Sequence, residues 1–512
     1  MLLDAVMSLS LANLCFIKTW SELLNSPIRR FNTCLAIIIN VLLLGGVVFG
    51  AITLARHSGK SLPLRLARFV FPLLILIPVN GFIQPFLPKQ KLILSELGFL
   101  VLAVIIIGLF EVDPWHQFII RAATTLTLVL SPFLLITMIQ VFWSLMIIPD
   151  KQLASPLSVR NTSAPRVVWF LFDEMDQQLA FSTRPATLHL SELDRLRSQA
   201  IYATNAYPPS DSTPVSMPAL ITGKLLSNTK LINTSEMEIT FADSERPVGL
   251  SNQPNIFSRA REAGFNTALV GWYIPYCSII GGSLTSCDWI DTEAATLRGN
   301  LSKQIENVIN IVPLASEFGV INVEKKLRNH RKKAVDSYIE VLNDAKRVVS
   351  DPNLGLILVH WPVPHAPNIY SRQENDFETD GESSYIDNLQ LADRTLGEMR
   401  AVMEEAGNWD DSIVLVTSDH WWRPFIWRSS GPWTREDENT PKSDTDHRIP
   451  FILKLARQEH EVTCDAVFNN ILIHDLILAL MRGEVATPDS VVGWIDKHRS
   501  IGESPYRFEI PK

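Results

Sequence analysis

The chain has 512 residues, with 46 Lys/Arg against 54 Asp/Glu, a formal charge of −8 at pH 7 and 47% hydrophobic residues. That length suits two or three domains, and the acidic balance excludes nucleic acid as a partner, because phosphate backbones are bound by basic surfaces. The charge is unevenly spread: residues 1–148 hold ten Lys/Arg and five Asp/Glu, leaving 36 basic and 49 acidic residues for the remainder.

The first part reads as membrane-embedded. Segments 33–53, 67–87, 92–110 and 122–146 each approach the roughly 20 apolar residues that cross a hydrocarbon core. Their only charges, Arg68 and Glu96, lie near segment ends, where long side chains reach the interface. Residues 1–16 are apolar but short and include Asp4. Lacking a basic start and a small-residue cleavage site, they are not a cleaved signal, and stand as either a fifth span or an interfacial helix. The densest basic cluster, Arg56, Lys60, Arg65 and Arg68, is expected on the cytoplasmic side, which places everything after residue 146 outside. Lys18, Arg29, Arg30, Lys89 and Lys91 then fall on the opposite side.

A Pro-, Ser- and Asn-containing stretch, 149–165, reads as a linker. Beyond it, strands are predicted at 167–172, 267–270, 355–359, 412–417 and 450–455, with helices over 322–349 and 385–405. Strands alternating with helices predict an α/β domain with a largely parallel central sheet, whose ligands bind at the carboxyl ends of the strands. The expected organisation is a transmembrane helical region of four or five spans over 1–148, the linker, and a catalytic domain over 166–512. Of the five cysteines, Cys277 and Cys287 bracket a Gly-Gly loop. They form a disulfide if the compartment is oxidising, or remain two buried thiols. No CxxC pair offers a thiolate zinc site.

The chemistry concentrates at a few places. Asp211-Ser-Thr-Pro-Val-Ser-Met-Pro-Ala-Leu-Ile-Thr-Gly223 follows a Pro-rich loop and enters a helix-compatible segment. It puts the Thr213 hydroxyl beside free N–H groups and the positive end of a helix dipole, a favourable place for a nucleophile that carries an anionic group. Asp173, with Glu174 beside it, and the pair Asp419-His420 each follow a predicted strand. The same topology brings them to one sheet edge, where two carboxylates, an imidazole and a hydroxyl suit Zn²⁺ first and Mn²⁺ second. His360, His365 and His447 lie beside predicted strands and are candidates to hold a second ion, bind substrate oxygens or protonate a leaving group. The run Trp421-Trp-Arg-Pro-Phe-Ile-Trp427-Arg428 either forms a lipid head-group site or packs on its own rings.

These residues resemble the alkaline phosphatase/sulfatase superfamily. The resemblance is carried by Phe172-Asp173-Glu174, Asn205 through Gly223, His360-x4-His365-x-Pro367, Tyr385 through Gly397, Ser418-Asp419-His420 and His447-x-x-Pro450. It implies an N-terminal transmembrane helical bundle followed by a sulfatase-like α/β domain. By that resemblance, Thr213 is the nucleophile and a metal ligand; Asp173, Asp419, His420, His447 and Glu174 are metal ligands; His365 is catalytic; and His360 and His365 bind substrate. Sulfatases require Cys or Ser at the nucleophile position, in a Cys-x-Pro-x-Arg context, to make formylglycine. Here Thr213, Val215 and Met217 stand instead, so sulfatase chemistry is not expected.

Thr-x-Val-Ser-x-Pro looks more like bacterial phosphoethanolamine transferases, although those have Glu where Asp173 stands. That likeness implies a bacterial inner-membrane, multi-pass enzyme with a periplasmic catalytic domain. It would move a phospho-head group through a phospho-threonine, with a membrane lipid donor or a lipid-linked acceptor as partner. A hydrolase using the same site and an inactive membrane scaffold are the alternatives.

Overall fold

A computed structural model of the chain describes residues 1–16, 31–58, 72–81, 83, 89–109, 112–146, 153–157, 165–290, 297–312, 323–430, 433–440 and 445–499. Contacts divide the chain into two units, 1–148 with 293–323, and 149–292 with 324–512.

In the helical unit, the 27-residue helix Phe31–His57 is the longest element. Ala12 and Phe16, from the end of helix Leu2–Cys15, bury against its Cys34, Ile37 and Val41. Two stretches, Thr33–His57 and Gln117–Trp143, are long and apolar enough to cross a membrane, by length and composition. They correspond to the predicted spans 33–53 and 122–146. Helices Leu2–Cys15, Pro72–Gly81 and Ser95–Gly108 are apolar but shorter. The 14 residues of the first reach only about 21 Å, short of a ~30 Å hydrocarbon core. Four or five spans were expected; two of spanning length are found among the described residues. Much of 67–87, and residue 110, lie outside those residues.

The composition shift near residue 148 coincides with a boundary between the units, but a second excursion has no such signal. Segment 293–323 belongs to the helical unit although the flanking sequence belongs to the other. Its helix Leu297–Asn310 docks through polar groups: Asn40 Nδ2 donates to the Leu301 carbonyl (3.2 Å) and to Gln304 Oε1 (3.0 Å), and Thr33 Oγ1 donates to Asn300 Oδ1 (3.1 Å). Buried amides gain from pairing with one another because water is absent to satisfy them.

The second unit is built on strands β1 (Arg166–Phe172), β2 (Ile201–Tyr207), β3 (Leu226–Asn233), β4 (Glu236–Phe241), β5 (Val248–Gly249), β6 (Asn266–Trp272), β7 (Ser286–Ile290), β8 (Leu354–Trp361), β9 (Tyr370–Ser371), β10 (Asp376–Phe377), β11 (Ser412–Thr417), β12 (Phe451–Lys454) and β13 (Val462–Asn469). Eight form one sheet in the order β13-β2-β12-β11-β1-β8-β6-β7. Its pairings are parallel except at β12, which runs antiparallel to both β11 and β2. The largely parallel α/β sheet read from the sequence is therefore present.

The central strands are covered on both faces. Along β1, Val167, Trp169 and Leu171 enter one core while Val168, Phe170 and Phe172 enter the other, as the two-residue period of a strand requires. Every residue of β1, β8 and β11 is buried, which is why these strands are visible as unbroken apolar runs.

Direction matters for the site. The carboxyl ends of β1, β8, β11 and β2 lie at one edge, and the reversed β12 brings its amino end there too. Ligand-bearing loops can thus precede β12 and follow the others. The helix Thr213–Thr222 leaves the loop after β2 and ends at Gly223, whose φ is +70°. A Cβ there would stand 2.7 Å from His474 Cγ.

Two stability tests follow from this packing. Gly223→Ala should lose about 1–2 kcal/mol from the left-handed conformation alone, and more from the His474 contact. Urea unfolding checks this, and pairing the change with His474→Ala should recover only the steric part. Asp393 is buried and accepts the Leu193 N–H at 2.7 Å, and burial pushes its carboxyl up to about 6 from 3.8. The folded chain therefore holds that proton where the unfolded chain has lost it, and this contribution disappears as pH rises through about 6. Asp393→Asn should be more stable than wild type at pH 8 by about 3 kcal/mol, with the difference vanishing below pH ~4.

Candidate active site

β1 and β11 are adjacent and parallel, so Asp173 and Asp419 emerge side by side just past their ends. Ser418 ties the two loops together. Its Oγ accepts the Met175 N–H (2.9 Å) and donates to the His420 carbonyl (2.7 Å). Asp419 Oδ1 accepts the backbone N–H of Glu174 (3.2 Å) and of His420 (3.0 Å). His420 Nδ1 lies 3.0 Å from the Trp421 carbonyl, which holds the proton on Nδ1 and leaves Nε2 with a bare lone pair.

Thr213 is the first residue of its helix, after Ser212 at the N-cap and before a proline. Ser216 Oγ fastens the approach loop by donating to the Ser210 carbonyl (3.0 Å) and accepting its N–H (3.1 Å). The Thr213 hydroxyl sits 3.2 Å from His420 Nε2 and 3.4 Å from both oxygens of Asp173. His420 Nε2 is itself 3.4 Å from Asp173 Oδ1 and 3.5 Å from Asp419 Oδ2.

Burial governs the electrostatics. It raises the Asp173 carboxyl well above the usual range, and the neighbouring Asp419 charge adds to this. It drops the His420 imidazole well below its ordinary value, helped by the Arg423 guanidinium. His360 falls to about 4 for the same first reason. Such a cluster is short of positive charge, which a divalent cation would supply.

The donor set fits an ion. Asp173, Asp419 and His420 each offer an atom within 4.8 Å of the others, and all are fully buried. Asp419 Oδ2 has no hydrogen-bond partner, and an orphaned buried carboxylate oxygen is costly unless it meets a cation. His360 Nε2, likewise unpartnered, points to the same place: it is 3.5 Å from Asp173 Oδ2 without hydrogen-bond geometry. Its other nitrogen is 3.0 Å from the Tyr276 hydroxyl.

Two candidates expected as metal ligands, Glu174 and His447, lie outside the ligand cluster. Glu174, expected among the metal ligands, turns its carboxylate to other donors. Oε1 accepts the Arg423 N–H (3.1 Å) and the Trp427 indole N–H (2.9 Å), and the Arg423 side chain pairs with it at 3.4 Å. Its backbone has φ +65°, a strained conformation that persists only when its surroundings over-determine it. Tyr385 helps do so by donating its hydroxyl to the Glu174 carbonyl (2.9 Å).

His447 reaches the same edge, because it precedes the reversed β12. There its ring stacks on Trp421 at 4.2 Å and is absent from the ligand cluster. His365, expected as a catalytic and substrate-binding residue rather than a ligand, lies outside that cluster. Its ring stands edge-on between Trp272 (5.2 Å) and Trp427 (5.0 Å), while the backbone N–H of His365 donates to the Asp173 carbonyl (3.1 Å).

Sequence reasoning passed over Arg423, Tyr276 and Asn388. The Asn388 amide holds the histidine loop by donating to the carbonyls of Pro364, His365 and Pro367. Arg423 had a signal in its position within the aromatic run after His420, and Asn388 in lying within the Tyr385–Gly397 stretch that carries the family resemblance. The rings of the aromatic run pack on rings outside it: Trp422 is stacked between Tyr385 (4.4 Å) and Trp433 (5.8 Å).

The ligand geometry makes a direct forecast. Asp419→Asn should weaken binding of a divalent ion at least tenfold, roughly the effect of disturbing a ligand's support. Thr213→Ala, which keeps all three cluster residues, should retain the ion. Metal content after dialysis, by elemental mass spectrometry, separates the two.

Residues 165–482 match the Sulfatase family model. No curated protein matches the sequence. Among solved structures, the chain is similar to Ps i-CgsB in complex with k-i-k-neocarrahexaose, at 12% identity, TM-score 0.43, covering 64% of this chain and 74% of that one. It is similar to the phosphonate monoester hydrolase of Agrobacterium radiobacter at 12% identity, TM-score 0.38, covering 62% and 74%. The lipoteichoic acid synthase LtaP from Listeria monocytogenes matches at 13% identity, TM-score 0.37, covering 64% and 75%. All three are remote likenesses. The family match spans more than half of the chain, and the protein belongs to the Sulfatase family.

Proposed function

We propose that this protein is a membrane-anchored, metal-dependent phosphotransferase that moves a phospho-head group, phosphoethanolamine-like, through a covalent intermediate on Thr213. The observation that carries the reading is the position of the Thr213 hydroxyl, 3.2 Å from His420 Nε2 and 3.4 Å from Asp173, at the start of a helix. Formylglycine chemistry does not suit this residue, since oxidising a secondary alcohol gives a ketone rather than an aldehyde.

In the first half-reaction, Thr213 Oγ1 attacks the phosphorus of a lipid phosphodiester. The new P–O bond forms as the bond to the leaving alcohol breaks. The hydroxyl proton passes to Asp173, whose oxygens lie 3.4 Å from Oγ1, and returns to the Thr213 oxygen when that oxygen later leaves. His365, half-buried between its two tryptophans, protonates the departing oxygen. In the second half-reaction, His365 takes the proton of an acceptor alcohol, whose oxygen displaces Thr213. The helix amino terminus favours the anionic phosphoryl group throughout. A divalent ion held by Asp173, Asp419, His420 and the Thr213 oxygen, Zn²⁺ in preference to Mn²⁺, would supply further charge stabilisation.

The partners proposed are a membrane lipid donor or a lipid-linked acceptor, with no role for nucleic acid. The location proposed is a bacterial inner membrane, crossed several times, with the α/β unit on the periplasmic side. The Cys277–Cys287 disulfide (S–S 2.07 Å) accords with an oxidising compartment.

The test is the intact mass of the protein after incubation with phosphatidylethanolamine and no acceptor. Wild type should gain one phosphoethanolamine, and Thr213→Ala should gain none. An adduct that survives the substitution removes Thr213 from its role, and steady release of free head group into water makes the protein a hydrolase instead.

A further inference from the structure

The short helix Arg435–Asn439 carries three acidic residues in a row, Glu436, Asp437 and Glu438. The outer two have cationic partners. Arg372 pairs with Glu436, and Arg428 Nε lies 3.2 Å from Glu438 Oε2. The middle one is buried, 4% exposed, and among the described residues no Lys, Arg or His pairs with it. Its oxygens meet neutral donors instead. Oδ1 accepts the Tyr385 N–H (2.8 Å), and Oδ2 accepts the Thr434 N–H (3.0 Å) and hydroxyl (2.6 Å). Burial raises this carboxyl above the usual range. A buried carboxylate held by neutral groups alone keeps a charge that a cation would balance.

Asp437 lines a narrow cavity together with Asn368 and four rings, those of Tyr385, Trp422, Trp427 and Trp433. Trp422 and Trp427 come from the aromatic run after His420. Asn368 is 8% exposed. Its Nδ2 donates to the Ser383 carbonyl (3.0 Å), which fixes the amide and leaves Oδ1 without a hydrogen bond among the described residues. A carboxylate, a bare amide oxygen and electron-rich rings each favour a positive guest. The cavity measures about 20 Å³, room for little more than one water-sized group. A primary ammonium has that size and brings three donors; a trimethylammonium is too large.

Two of the walls also serve the catalytic edge. The Trp427 indole N–H donates to Glu174 Oε1 (2.9 Å), and its ring stands edge-on to His365 at 5.0 Å. The Tyr385 hydroxyl donates to the Glu174 carbonyl (2.9 Å). A group seated in the cavity is therefore separated from His365 by a single ring.

We propose that this cavity is a subsite for a primary ammonium group on a substrate, with Asp437 as its counter-charge and Asn368 Oδ1 as a hydrogen-bond acceptor. What carries the amine rests on the phosphotransferase reading above: it is either the head group being moved or the alcohol that accepts it. Asn368 and Asp437 then select among head groups by charge and size rather than take part in bond making.

Ethylammonium chloride is the probe. Titrated into the full-length protein and followed by tryptophan fluorescence, it should give a saturable change that neither ethanol nor tetramethylammonium gives at the same concentrations. Asp437→Asn should weaken that binding about ten- to hundredfold, the range for a hydrogen bond to a charged group. Because the same carboxylate caps its helix, Asn368→Ala gives a second reading: it leaves the cap in place and should weaken binding about tenfold. No saturable response to ethylammonium, an equal response to ethanol, or unchanged affinity in Asn368→Ala overturns the subsite. Turnover of 4-nitrophenyl phosphoethanolamine against 4-nitrophenyl propyl phosphate then identifies the carrier. A kcat/KM preference for the amine of about tenfold or more, lost in Asn368→Ala, assigns it to the transferred head group. Equal turnover, with ethylammonium still bound, assigns it to the acceptor. Should wild type form no Thr213 adduct while ethylammonium binds, the transferase reading fails and the subsite stands.

Discussion

The site is organised around the cost of keeping acidic side chains away from water. Asp173, Glu174 and Asp419 lie at the end of a sheet whose strands are buried on both faces, where solvent cannot screen them. Each is resolved differently. Glu174 receives Arg423 and an indole, Asp173 has its proton affinity raised, and Asp419 keeps one oxygen without a partner. That inequality separates a residue that supports the site from residues that wait for a cation.

Sheet direction supplies the rest of the geometry. Adjacent parallel strands put Asp173 and Asp419 side by side, and the loop after β2 returns Thr213 to the same edge. The reversed β12 lets a histidine that comes before a strand arrive where others come after one. Because the framework is a packed sheet, the hydroxyl and its neighbours are held by β1, β11 and a helix start rather than by a long loop. Rigid placement of this kind lowers the reorganisation that a reaction would otherwise require.

Much of this was legible in the sequence because it leaves a local trace. β1, β8 and β11 are largely apolar runs with a ligand type at or just past their carboxyl ends: Asp173 after β1, His360 at the penultimate position of β8, and Asp419-His420 one residue beyond β11. The turn residues and Pro-rich approach marked the start of the helix at Thr213. What was not legible has no local trace. β2 carries Thr204 and Asn205 in a strand, and β13 alternates exposed and buried positions near the sheet edge, so neither reads as an apolar run. Nothing in the composition of 293–323 says that its helix pairs with Asn40, because that contact joins residues 261 and 264 positions apart. Glu174 and His447 have the right residue types for ligands. Only the three-dimensional arrangement reveals that Trp427, Arg423 and Trp421 engage them. Arg423 could be seen in sequence but not assigned, since its role depends on a backbone carbonyl at Asp211 and a carboxylate at Glu174.

The central claim is that Thr213, Asp173, Asp419 and His420 share one divalent cation. Anomalous diffraction from crystals of the metal-loaded protein, collected across the zinc edge and repeated across that of manganese, tests it most directly. The account predicts one strong peak within about 2.0–2.2 Å of the ligand atoms of Asp173, Asp419 and His420, with the Thr213 oxygen beside it. A peak elsewhere, or none at these residues in loaded protein, would contradict it.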